Sequence, residues 1–136
     1  MQYWLIKSEP GAWSWESQVK RGAKGEAWTG IRNHTAKLNL MKMKKGDRAF
    51  FYHSNVGKDI VGVVEVSREY YPDPNDKSGK FFAVDVRAVA SMPTPVTLDM
   101  IKAEPALAEM MLINNTRLSV QPVTPAEWKA IVAMTG

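Results

Sequence analysis

A mixed α+β fold built around a curled sheet is predicted by three features of this sequence. Strand-like and helix-like runs follow one another irregularly, without the regular βαβ alternation of a parallel sheet. The run Ile60-Val61-Gly62-Val63-Val64 is apolar on both faces, as in a strand inside a closed or strongly curled sheet. The chain has 136 residues, enough for one core, and is expected to form a single domain over 1–136.

The elements follow in order. Tyr3 to Lys7 is β-rich and is stopped by the turn formers Ser8-Glu9-Pro10-Gly11. Ser14 is placed to cap a short helix to about Arg21, which Gly22 and Gly25 break. Trp28-Thr29-Gly30-Ile31-Arg32-Asn33 reads as a loop feeding a helix from about Asn33 to Met43. There Ala36, Leu40 and Met43 form a buried stripe at i, i+4, i+7, with Asn33, Lys37 and Lys44 on a neighbouring face.

Strands are predicted over Ala49 to Ser54 and Asp59 to Tyr70, and Gly62 within the second marks a bulge or a close approach. Tyr71 to Lys80 reads as a polar, mobile loop. From Phe82 the alternation is that of a half-exposed strand, which Pro93 and Pro95 are expected to end. Short helices are expected near Leu98–Ala103 and Ala106–Met110, then a strand over Arg117 to Val123. Thr124-Pro125-Ala126-Glu127 carries a capping box for a last helix to about Met134.

Composition narrows the function. There is no cysteine, which excludes disulfides, thiol catalysis and thiolate zinc sites. A reducing, cytoplasmic home is expected, or the nucleus in a eukaryote. No apolar run approaches the ~20 residues of a membrane span. The net charge of +4 is uneven. Residues 1–60 carry eleven Lys/Arg against five Asp/Glu, while residues 61–136 carry seven against nine. That asymmetry fits either a polyanionic partner met by one side or a solvated basic face.

Catalytic templates are nearly empty. The sequence has no phosphate-cradling glycine motif, no G-x-S-x-G and no H-E-x-x-H. Its two histidines, His34 and His53, have no ligand spacing, so neither metal nor cofactor is expected. Glu9 with His53 and Ser8 or Ser54 can be drawn as a hydrolytic set, as in any small domain.

The tryptophans say more. Trp4 reads as core, and Trp13 and Trp15 as staples of a helix to the sheet. Trp28 sits beside Gly30, Arg32 and Asn33, which suits either a stacking platform next to polar groups or a buried loop anchor. A nucleobase offers two π-faces and a hydrogen-bonding edge. Aromatic walls take the faces, amides and hydroxyls the edge, and lysines the phosphates.

Three long stretches carry a resemblance. Tyr3-Trp4-Leu5-Ile6-Lys7-Ser8-Glu9-Pro10, Trp28-Thr29-Gly30-Ile31-Arg32-Asn33 and Phe50-Phe51-Tyr52-His53-Ser54 resemble, in that order, the EVE domain. The likeness continues through Ile60 to Val66, Tyr71-Pro72-Asp73, Pro95 to Leu98 and Arg117 to Val123. It implies a PUA-like fold, a curled and mostly antiparallel β-barrel with helices around it, related to the YTH domain. It also implies recognition of a modified base, modified cytosine in DNA above all, or a modified RNA base.

Carried over by position, Lys7, Ser8 and Glu9 would line the pocket and Trp28 would form one wall. Asn33, Tyr52, His53 and Ser54 would supply edge contacts and floor, although Tyr52 and His53, adjacent on a strand, cannot both face one cavity. Arg32 would join the ligand set, and Lys37, Lys44 and Lys45 would meet phosphates. Relatives often have a tryptophan where this chain has Phe81-Phe82, so a second wall would either be weaker or come from Trp13 or Trp15. The expected function is non-catalytic recognition of a modified base in nucleic acid. The alternatives are a small-molecule or nucleotide-binding module, and a nucleotide-acting enzyme using Glu9 or His53.

Overall fold

The computed structural model describes residues 1–135. Six strands form one sheet in the order β2-β5-β4-β3-β1-β6. They are β1 (Tyr3–Ser8), β2 (Glu26–Trp28), β3 (Arg48–His53), β4 (Asp59–Pro72), β5 (Phe82–Thr97) and β6 (Val120–Val123). The helices are α1 (Trp15–Arg21), α2 (His34–Lys42), α3 (Leu98–Ala103), α4 (Met111–Asn114) and α5 (Pro125–Thr135). All pairings are antiparallel except β1 with β3.

The sheet does not close, so the expected barrel is an open one. Its edge strands, β2 and β6, are only three and four residues long. The gap is filled by α2, which packs against β6, β5 and β4 and donates from Asn39 Nδ2 to the Val120 carbonyl at 2.8 Å. Ala36, Leu40 and Met43 are all fully buried, as their spacing predicts.

Both faces of the sheet are covered, which explains the unbroken apolar run in β4. One face carries Trp4, Ile6, Phe51, Val64, Val84 and Val86 under α1 and α2. The other carries Leu5, Phe50, Ile60, Val63, Met92 and Val96 under α3 and α5. The two-residue period of these assignments is strand alternation at work.

Gly62 is the close approach expected of it. The Trp15 ring lies over it, and a Cβ there would fall 2.2 Å from Trp15 Cζ2. The β3–β4 register also slips beside it, between Phe51 and Tyr52. Ser14 caps α1 by accepting from Ser17 N–H, and the reciprocal Thr124–Glu127 box starts α5.

Several boundaries differ from expectation. The strand from Phe82 runs through Pro93 and Pro95 to Thr97. No β4 partner pairs with Met92 to Pro95, so the missing proline N–H groups break no ladder. Thr94 instead exchanges two hydrogen bonds with Thr135 of α5, at 3.1 and 2.5 Å. β4 extends to Pro72, and β6 begins only at Val120. The piece expected at Ala106–Met110 is a 3-10 turn, Pro105–Leu107, followed by α4. The helix expected to reach Met43 ends at Lys42, leaving Lys44 beyond it.

A candidate base-binding cleft

β1 and β3 run parallel and finish together at Ser8 and His53, leaving one end of the sheet for loops to build on. On the α1 face of that end lies a cleft of about 400 Å³. Lys7, Ser8 and Glu9 line it from the end of β1, Ala12 and Trp13 from the turn before α1, and Glu26 to Ile31 from β2 and its loop.

Trp28 is not a loop residue. It closes the short strand β2, paired with Val84, and only 7% of its surface is exposed. The apolar run of β5 supplied a partner edge that the glycine-flanked sequence around residue 26 does not advertise. The Trp28 ring stands edge-on to Phe51 at 5.6 Å between centroids. Trp4, Trp13 and Trp15 donate their indole N–H groups to Asp47, Gln18 and Ser91. That of Trp28 makes no hydrogen bond to the described residues.

Trp13 is the other tryptophan in the cleft lining, which holds neither Phe81 nor Phe82. Its Nε1 donates to Gln18 Oε1 at 2.9 Å, and the fully buried Gln18 donates from Nε2 to Val86 O at 3.2 Å. Trp13 is thereby tied through α1 to β5. Ser8 Oγ donates to the Trp13 carbonyl, bonding the turn to the end of β1.

The β2 wall is held by Asp73, whose side chain is fully buried. It accepts from the backbone N–H of Gly30 at 2.9 Å, from Asn75 N–H at 2.7 Å and from Arg32 Nη1 at 3.0 Å. Burial alone would raise its pKa, but the Gly30 and Asn75 amides and the Arg32 guanidinium outweigh it and hold the carboxyl below its ordinary value. The loop after β4, expected to be mobile, is thus fixed to the cleft. Asp76 fixes its far end by accepting from Ser78, Lys80 and Phe81.

The remaining candidates divide by strand alternation. Tyr52 and Ser54 line a separate cavity, on the other face of β1 and β3. Lys7 borders both cavities, but its ammonium lies on the Tyr52 side and donates to Thr116 O at 2.7 Å. His53 is in neither: its Nε2 accepts the backbone N–H of Trp15 at 3.0 Å, and its Nδ1 lies 4.0 Å from Asp59 Oδ1. Burial lowers its pKa, against the opposing pull of Asp59.

Asn33 lies outside the cleft lining and is the N-cap of α2, its Oδ1 accepting Ala36 N–H at 2.9 Å. Arg32 and Lys37 lie over the Phe81 ring, at 5.2 and 5.5 Å. Lys44 and Lys45 sit instead beside Met1 and Asp47, so the lysines expected on one face occupy two places.

The hydrolytic set does not assemble. His53 Nε2 accepts from a backbone amide, Glu9 Oε1 accepts from Asn55 at 2.8 Å, and Ser8 is bonded to Trp13 O. No cluster of three or more His, Asp or Glu residues suited to a metal occurs among the described residues. Nor is any described helix long and apolar enough to cross a membrane. The sequence does not mark Gln18 or Asp73 as cleft residues. Gln18 had no visible signal, whereas Asp73 lies within Tyr71-Pro72-Asp73, part of the resemblance but without an assigned role.

The open, mostly antiparallel sheet with helices on both faces is a PUA-like fold, shared with human THYN1. The chain belongs to the EVE domain family, whose model matches residues 2–134. It is 35% identical to thymocyte nuclear protein 1 of Rattus norvegicus, over 97% of this chain and 73% of the rat protein. A solved structure from Rhodopseudomonas palustris is 60% identical, with a TM-score of 0.95 over 100% of this chain and 94% of that one. The human THYN1 protein in complex with 5-methylcytosine containing DNA is 30% identical, with a TM-score of 0.91 over 99% and 98%. A YTH domain from Zygosaccharomyces rouxii, 22% identical with a TM-score of 0.60 over 98% and 83%, shares the fold.

Proposed function

We propose that this protein is a non-catalytic reader of a modified base, which it encloses between Trp13 and Trp28 after extrusion from the strand. The observation that carries this is the cleft itself, with two tryptophans in its lining and a Trp28 indole N–H that has no partner among the described residues. A base stacked in a duplex cannot reach such a site, so extrusion is required. Stacking supplies roughly 1–3 kcal/mol per base.

Modified cytosine in DNA is the favoured ligand. Glu9 and Glu26 line the cleft, Glu9 accepting from Asn55 at 2.8 Å and Glu26 paired with Arg21 at 3.3 Å, and their remaining carboxylate oxygens are suited to accept from a cytosine 4-amino group. The similar human protein is solved with 5-methylcytosine containing DNA. Arg32, tied through Asp73 to the cleft loop, and Lys37, which donates to the Lys80 carbonyl beside it over Phe81, are placed to meet the phosphates of the entering strand. Asn33, Tyr52, His53 and Ser54 take supporting roles outside the cleft. The protein would work wherever its polymer lies, in the cytoplasm of a bacterium or the nucleus of a eukaryote.

Amide spectra recorded during titration with a 5-methylcytosine duplex test this. Shifts centred on Ala12, Ala27, Thr29, Gly30 and Ser119 are expected. Shifts confined to the lysines of α2 and the turn after it would overturn the reading.

A further inference from the structure

The last two side chains of β1 point to opposite faces. Ser8 joins the base cleft, whereas Lys7 reaches the second cavity, of about 290 Å³. Three lysines line that cavity, namely Lys7, Lys58 and Lys102, with hydroxyls from Tyr52, Ser54 and Thr116. No carboxylate lines it among the described residues. Two acids border it without lining it: Glu9, whose Oε1 accepts from the lining Asn55 at 2.8 Å, and Asp59, which acts on Tyr52 from beside His53.

The Lys7 ammonium is half-buried, and its one acceptor among the described residues is the Thr116 carbonyl. An ammonium has three N–H donors, so two are left for a ligand. Burial lowers the Lys7 pKa, the expected mark of a cation desolvated without a counter-charge. The Tyr52 ring lies under the ammonium at 6.0 Å, and its hydroxyl makes no hydrogen bond to the described residues. Lys58 adopts φ +50°, a left-handed conformation, and its carbonyl accepts from Leu98 N–H, so the backbone on this side is fixed. A site with several cations, free hydroxyls and no acid is matched to a compact oxyanion.

From this arrangement we infer that the Lys7–Lys58–Lys102 cavity is a phosphate-binding site, separate from the base cleft and across β1 from it. The favoured source is a phosphodiester of the same strand, passing over the rim where Glu9 bonds Asn55. That source rests on the base-reading proposal. A free phosphorylated ligand would show the same chemistry.

The test is a double variant, Lys58→Gln with Lys102→Gln, both exposed and remote from the cleft lining. Lys20→Gln with Lys24→Gln is the charge-matched control. Affinity for modified and unmodified oligonucleotides is measured against salt, and inorganic phosphate is titrated with amide spectra. A several-fold loss of affinity for both oligonucleotides is expected, with the log–log salt slope smaller by about one to two and the modification preference unchanged. The control should lose less. If only the phosphate-induced shifts at Ser54, Asn55 and Thr116 vanish, the site stands and its ligand is a free phosphate. No phosphate shifts there, together with superposable oligonucleotide curves or losses equal to the control, would overturn it. Failure of base reading would appear separately, as a lost modification preference.

Discussion

The backbone N–H of Gly30 donates to the buried carboxylate of Asp73 across 43 residues of sequence, at 2.9 Å. That bond, with those from Asn75 and Arg32, makes the loop after β4 the support of the cleft's β2 wall. Asp73→Ala would leave the Gly30 and Asn75 amides without their acceptor, at a cost of roughly 1–3 kcal/mol. Urea unfolding should show that loss. Ligand affinity should fall too, because the Trp28–Ile31 segment would no longer be held.

Gly62→Ala forces a methyl group into the Trp15 ring, 2.2 Å from its nearest atom. The ring cannot retreat without disturbing Phe51, at 5.2 Å, and its bond to Ser91. Overpacking of this kind costs about 1–3 kcal/mol, to be read from denaturation curves. Near-wild-type stability would show that Trp15 is loosely held.

Asn33 can be tested for two roles at once. As the α2 cap, its replacement by alanine should cost about 1 kcal/mol, and Asn33→Ser should restore most of it. Affinity for the modified base should change little in either variant. A large loss of affinity in Asn33→Ser with normal stability would instead place Asn33 on the base edge.

His53 sets a pH dependence. Its folded pKa is lowered, so the unfolded chain binds the proton more readily. Its contribution to stability is complete above the ordinary value of 6.5 and is lost as pH falls through the lowered folded value. Asp73 repeats the pattern in acid, its contribution being lost as pH falls from 3.8 through its lowered value. Urea midpoints should therefore fall between pH 8 and 5, and the drop should shrink in His53→Gln, which keeps no titrating group there.

Much of this fold was legible because strong local signals agreed with the tertiary structure. The Ser14 and Thr124 caps, the α2 stripe and the apolar run in β4 needed no knowledge of distant residues. The failures were non-local. Trp28 became strand only because β5 offers an edge, and β5 passed its prolines because Thr135, 41 residues away, serves Thr94. The site divided in the same way. Ser8, Trp13 and Trp28 converge, but alternation sends Lys7 and Tyr52 to the opposite face. Asp73 and Gln18 hold the walls through partners 43 and 68 residues distant.

The most direct test of the central claim is fluorescence-polarisation binding of matched oligonucleotides, with and without 5-methylcytosine, to the wild-type protein and Trp28→Ala at two salt concentrations. The account expects a preference for the modified strand that survives the higher salt. Loss of one stacking wall should lower affinity for that strand by roughly 5- to 150-fold, the equivalent of 1–3 kcal/mol, and abolish the preference. Weak binding that ignores the modification, vanishes with salt and is unchanged in Trp28→Ala would contradict it.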